Sequence, residues 1–384
     1  MIDIEILNKL NAPTKAERLA NLAEILKTTA FPPMVPQYIN NHIHTTYSFS
    51  PYSPTASAYA ARMEGLCTAG IIDHDSISGA EEFLEAAKFV DIPVTIGMEC
   101  RVSMAGTRIA GKRTNNPDQV SVSYMTIQGV PHDQIDTLTE FFRPYRAARH
   151  ERNRKMVENI NALLPELALS YDNDVLPLSM AAEEGGVTER HLMYALAKKL
   201  TALVGKGEAM VAKLESMGLS LSEKQKNQML DTGYPFYEYD LLGILKSAFV
   251  PKIFIEATAE CPSLPDMVKL CADVDAYLCY AYLGDVGDSV TGDKKAQKFE
   301  DDYLDELFEC LKEEGVKAVT YMPTRNTPAQ LERLRSLCDS YGMFQVSGED
   351  INSPRQSFVI KAMENPMFAN LIDATWKLIE HENQ

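Results

Sequence analysis

Four short segments of the chain carry clustered imidazoles and carboxylates: Asn41-His42-Ile43-His44, Asp73-His74-Asp75, Gly97-Met98-Glu99 and Ser347-Gly348-Glu349-Asp350. Each follows or ends a short apolar run of strand-like composition. His42 and His44 stand two residues apart, and in an extended chain such residues face the same side. Both imidazoles can therefore reach one ion. Three of the seven histidines fall in these segments, so a shared metal centre is the expected reading. The competing reading is a hydrogen-bonded polar cluster capping one edge of a sheet. Beside such an ion, His74 or Asp73 would act as general base or acid.

The elements that must position these groups show in the hydrophobic pattern. Strands are expected at 38–43, 67–72, 94–98 and 120–127, and again at 253–255, 276–281, 316–321 and 343–346. Helices are expected at 55–64, 79–90, 265–273, 299–314 and 328–341. The last has Thr327 as N-cap, Pro328 at the first helical position, Gln330 closing a capping box and Gly342 as its stop. This alternation predicts an α/β fold with a mostly parallel sheet, open or closed into a barrel, and chemistry at the carboxyl ends of its strands.

Residues 1–37 are expected to form a helical extension, with Thr14 and Glu17 as a capping box and Phe31-Pro32-Pro33 ending it. Residues 141–249 break the rhythm. Apolar stripes at Met156, Ile160, Leu163 and Leu164, and at Leu192, Leu196, Leu200 and Leu203, predict a helical insertion there. It would separate 38–140 from 250–384, the two parts of the α/β unit. A final helix is expected around 367–378, carrying Trp376, the single tryptophan.

Other groups suit an anion. Arg190 and His191 follow Thr188, an expected N-cap, and helix N-termini attract phosphate. Arg325 follows the strand ending at Tyr321 and faces the same edge. The basic run from Arg143 to Lys155 reads as a solvated helix face or as a lid over an anionic substrate. Asp285 and Asp288 read as turn formers that could approach a metal.

The charge balance, 37 Lys and Arg against 54 Asp and Glu, leaves −17. That field opposes nucleic-acid polymers and anionic membrane surfaces, so the expected partner is a small anionic molecule. No apolar stretch approaches the roughly 18 residues of a membrane span, and no signal peptide is read at the N-terminus. The seven cysteines form no C-x-x-C pair; they read as reduced core thiols of a cytoplasmic protein.

His42-Ile-His44-Thr-Thr-Tyr-Ser48, then Gly70-Ile-Ile-Asp-His74-Asp, then Gly97-Met-Glu99, in that order, resembles the PHP (polymerase and histidinol phosphatase) family of metal-dependent phosphoesterases. The likeness covers most of 38–130 and 250–355. It implies a distorted seven-stranded, TIM-like β/α barrel with up to three metal ions at the strand C-termini. The segments Arg149-His-Glu-Arg152-Asn-Arg154 and Val187-Thr-Glu-Arg190-His191 resemble the branch with a lid inserted into the barrel.

Carried over residue by residue, the resemblance assigns one metal site to His42, His44, Glu99 and Asp350. The remaining sites depart from the family. Phe49 stands where an acid or His is common, Ser123 or Tyr124 where a His is expected, Tyr282 in place of the His of Ala-His-Pro, and Asn352 in place of the His of Asp-x-His. Only His74 remains for the third metal. The expectation is therefore about one divalent ion per chain (Zn, Mn or Fe) and hydrolysis of a phosphate ester of a small molecule or nucleotide. The alternatives are a ligand-binding descendant without turnover and a one-metal C–O or C–N hydrolase.

Overall fold

The computed structural model describes residues 2–286 and 297–384, so Asp288 lies outside the described residues. Helices α1 (Ile4–Leu10) and α2 (Lys15–Leu26) come first, and the capping box at Thr14 forms: the Glu17 amide donates to its hydroxyl and the Thr14 amide to the Glu17 carboxylate. Arg18, buried on α2, donates to both carboxylate oxygens of Glu82, at 2.8 and 2.5 Å.

Seven strands follow in one sheet whose spatial order is their chain order: β1 (Val35–Ile43), β2 (Leu66–His74), β3 (Val94–Ser103), β4 (Val122–Gln128), β5 (Tyr277–Tyr282), β6 (Ala318–Tyr321) and β7 (Phe344–Ser347). Helix α3 (Pro54–Met63) links β1 to β2 and α4 (Ala80–Val90) links β2 to β3. Just past β7 the chain returns to β1. The Ile351 amide donates to the His42 carbonyl at 3.1 Å, and the His44 amide to the Ile351 carbonyl at 2.9 Å. The result is a nearly closed, distorted TIM-like barrel.

One sequence expectation holds here and one fails. The sheet is mostly parallel, with one exception: β4 runs antiparallel to both β3 and β5. The segment between β3 and β4 contains no helix, and a parallel return needs a long crossover. The strand expected at 253–255 is absent. Ile253 ends a helix, on its buried face with Leu241, Leu245 and Phe249, while Phe254 and Ile255 lie past the helix, half-buried against the same cluster. A short apolar run does not distinguish the two states by periodicity.

Between β4 and β5 lie α5 (Ile135–Leu163), α6 (Glu189–Val204), α7 (Glu208–Ser216), α8 (Glu223–Leu230) and α9 (Tyr237–Ile253). They bury a second apolar cluster, including Met156, Ile160, Leu192, Leu196, Leu241 and Leu245, which Phe49 joins from the barrel. Leu163 and Leu203, expected in its stripes, are exposed at or near helix ends. Then α10 (Leu264–Asp273), α11 (Leu304–Glu314), α12 (Pro328–Tyr341, with the expected Thr327–Gln330 box) and α13 (Ala369–Glu382) complete the fold. All seven cysteines are buried and unpaired. Among the described residues no helix is long and apolar enough to cross a membrane.

The end of α13 plugs the barrel opposite its mouth. Glu382 is buried there, accepting from the Ile96 amide at 3.1 Å and from the Thr95 hydroxyl. Burial outweighs these donors and His132, pushing the carboxyl up to about 7. Because the folded state binds this proton more tightly than the unfolded chain, its contribution is full below about pH 4.5 and lost as pH rises towards 7. Relative to Glu382→Gln, the wild-type protein should therefore lose roughly 2–3 kcal/mol of stability between about pH 5 and 8. Urea unfolding of both proteins across that range checks this, and a constant difference would contradict it.

Candidate metal centre

His42 is the penultimate residue of β1 and His44 lies just beyond it, their rings 5.1 Å apart. Glu99 is not at a strand end. It pairs in register with His74, the last residue of β2, while β3 runs on to Ser103. The backbone bridge between Ile351 and β1 brings in Asp350, whose Oδ1 lies 3.2 Å from His44 Nε2. Glu99 Oε2 lies 3.7 Å from His42 Nε2, 3.9 Å from His44 Nε2 and 3.1 Å from His74 Nδ1. The structure thus brings His42, His44, His74, Glu99 and Asp350 together. They form two overlapping groups of three that share His44 and can each hold an ion.

The donor set fits a divalent cation. The Nε2 atoms of His42 and His44 are buried with no hydrogen-bond partner, and buried polar atoms are rarely left so. Imidazole nitrogens with carboxylate oxygens are the usual ligands of zinc and related ions. Burial works against ionising Glu99, yet His74, His42 and His44 hold its carboxyl down at about 2. Removal from water pushes His74 down to about 3 against the pull of Glu99, so its ring is neutral near pH 7. At position 348 only glycine fits, since an added Cβ would meet the His42 Cβ at 2.5 Å.

Asp73 corrects the sequence expectation. It is buried and does not line the cleft; its oxygens accept from the Thr45 amide at 2.7 Å, the Thr45 hydroxyl at 2.6 Å and the Ser48 hydroxyl at 2.6 Å. Ser48, whose hydroxyl donates a hydrogen bond to Asp73, is left to accept from His44 Nδ1 at 3.1 Å. This chain puts the His44 proton on Nδ1 and leaves Nε2 its lone pair. Asp73 therefore braces the Ser48–His44 contact behind the cleft wall.

Two further expectations are corrected. His191 is buried away from the cleft, its Nδ1 accepting from the Thr188 amide at 3.0 Å in a capping box and its ring meeting Phe49 edge-on. Arg325 does not line the cleft; its Nε donates to the Leu283 carbonyl at 2.9 Å. Arg190 does line it, and among the described residues it has no hydrogen-bond or ion-pair partner. The cleft encloses about 1100 Å³ including solvent at its mouth.

The positions that depart from the resembled family hold other contacts. Phe49 packs against Tyr194 and Tyr239. Ser123 donates to the Thr114 hydroxyl, Tyr282 to Asp301, and the Asn352 amide to Asp350 at 2.6 Å.

The basic run on α5 is only partly a solvated face: Arg143 and Lys155 are exposed. Arg146, Arg149 and Arg152 are buried at successive helical turns. Arg149 pairs with Asp75 and, at 3.0 Å, with Glu189; Arg152 reaches Glu189 and Glu260, each at 2.6 Å. Arg101 of β3 meets the same two glutamates at 2.8 Å. Sequence reasoning missed this network. Its signals were the i, i+3, i+6 spacing on α5 and the placement of Arg101 two residues after Glu99 on one strand face.

No protein-family model and no curated protein matches the chain. Among solved structures it is similar to a protein of Bifidobacterium adolescentis provisionally described as a metal-dependent phosphoesterase. That match has 18% identity over 89% of this chain and 98% of the other, with a TM-score of 0.54. It is also similar to an amidohydrolase of Chromobacterium violaceum, solved with sulfate and no metal, at 17% identity over 83% and 89% of the two chains and a TM-score of 0.53. At such identity the likeness is one of fold.

Ser48→Ala removes the link between Asp73 and His44 without touching a candidate ligand. It should lower zinc or manganese affinity about 10- to 100-fold, measured by competition with a chromophoric chelator. Unchanged affinity would show that His44 needs no orienting contact.

Proposed function

We propose that the protein is a metal-dependent hydrolase of phosphate esters of small molecules or nucleotides, working with one divalent ion (Zn, Mn or Fe) held by His42, His44, Glu99 and Asp350. The observation that carries this reading is the pair of orphaned, buried Nε2 atoms beside two carboxylates, opening on a cleft that also presents Arg190. Buried carboxylates without a compensating cation are costly. A bound divalent ion supplies Lewis acidity and a means of activating water at neutral pH.

The side chains of the cleft supply the rest. His74 Nδ1 lies 3.1 Å from Glu99 Oε2, and a hydrogen held between them would leave Nε2 of the ring to take a proton from a water. Arg190 offers a planar, permanently charged fork to a phosphate. The metal-dependent phosphoesterase described for one fold neighbour agrees with this chemistry. Seven buried, unpaired thiols favour a reducing, cytoplasmic setting. The excess of acidic residues favours a small substrate over a nucleic-acid polymer or a membrane.

Plasma mass spectrometry of the purified protein should find about one ion per chain, and a phosphomonoester panel should show turnover that chelator abolishes. Turnover of amides alone would instead assign C–N hydrolysis. Arg190→Ala should raise KM roughly 10- to 100-fold, as expected for losing a charged hydrogen bond, with metal content unchanged. Loss of metal in that variant would place Arg190 in support of the ion.

A further inference from the structure

Tyr124 stands in the cleft with its position over-determined. It lies on β4 opposite Arg101 of β3, and because β4 runs antiparallel its first residues sit at the same edge as His74 and Glu99. Its backbone is gripped on both sides by one residue: the Tyr124 amide donates to Asn115 Oδ1 at 2.8 Å, and Asn115 Nδ2 donates to the Tyr124 carbonyl at 2.7 Å. Its phenol oxygen accepts from Arg101 Nε at 3.2 Å. Arg101 is itself buried and held by Glu189 and Glu260. The tyrosine ring lies 6.0 Å from that of His74, centroid to centroid.

One hydroxyl lone pair is thus occupied by a donor that cannot give way. Among the described residues no acceptor lies within reach of the hydroxyl hydrogen, so the one direction left for it is the open cleft. Burial pushes the phenol up to about 12 although Arg101 opposes this, which keeps the hydrogen in place at neutral pH. Fixed, uncharged donors aimed at a site of negative charge stabilise it without reorganisation.

Resting on the phosphoesterase reading, we propose that Tyr124 is a further catalytic residue, donating its hydroxyl hydrogen bond to a phosphoryl oxygen of the substrate opposite Arg190, with Arg101 and Asn115 as its positioning residues. No proton is transferred; the bond strengthens as charge gathers on that oxygen.

The test uses the metal-loaded full-length protein and inorganic phosphate as probe, followed by calorimetry and by the near-ultraviolet difference spectrum of tyrosine. Wild type should bind phosphate with a tyrosine signal. Tyr124→Phe, which keeps the ring, should bind roughly tenfold or more weakly and lose the signal, with melting temperature and metal content unchanged. On p-nitrophenyl phosphate the variant should lose kcat by at least the same factor. If Tyr124→Phe binds phosphate like wild type while Arg190→Ala does not, the phosphate site stands and Tyr124 has no part in it. Loss of metal from Tyr124→Phe would make the residue structural and overturn the proposal. Failure of wild type to bind phosphate would overturn the phosphoesterase reading and this proposal with it.

Discussion

Two backbone hydrogen bonds join the chain just past β7 to His42 and His44. On this closure the rest of the candidate centre depends. It brings Asp350, more than 300 residues distant in sequence from His44, to within 3.2 Å of its ring. Closure is tight because Asn40 accepts from the Glu349 amide at 3.0 Å and donates to its carbonyl at 3.1 Å, while Gly348 lets the strands meet at His42. Position 99, on a strand interior to the sheet, then supplies the second carboxylate. Side chains delivered from both sides of a closing seam can converge in a way that one open edge does not allow.

Around this centre the helices of the insertion meet the barrel through apolar contacts and through charge: α5 buries Ile135, Leu138 and Phe142 in the barrel core, and Phe49 enters the insertion's cluster. At the cleft the contacts are ionic: Arg101, Arg149 and Arg152 meet Asp75, Glu189 and Glu260. Desolvating so many charges costs much of what their attraction returns. What such a network contributes is geometric definition. Arg149 grips Asp75, the residue after His74, which sits in the left-handed region at φ 56°. Glu189 precedes Arg190 at the start of α6. One set of ion pairs therefore aims both a candidate base and a candidate anion-binding arginine.

The same economy shows where expected ligands are missing. Phe49 belongs to the aromatic packing of the insertion, Tyr282 holds Asp301, and Asn352 bonds to Asp350 itself. Each substituted side chain has a contact that a metal ligand at its position would lose. The candidate ligands that remain converge around His44.

Much of this was legible in the sequence, and the boundary is instructive. Capping boxes at Thr14 and Thr327, the strand–helix alternation and the pairing of His42 with His44 are local, set by hydrogen bonds and periodicities spanning a few residues. Only the tertiary structure decided the direction of β4, which follows from a connection lacking a helix. It alone decided that Ile253 ends a helix and that the α5 arginines are buried, because burial depends on what packs against a face. Asp73 and Arg325 are held by partners distant in sequence, Ser48 and Thr45 for the one and the Leu283 carbonyl for the other, whereas His191 is claimed locally by the Thr188 capping box. Residue type and spacing establish which side chains can do chemistry; which of them face open space is fixed by contacts between distant segments, and a one-dimensional pattern does not carry those.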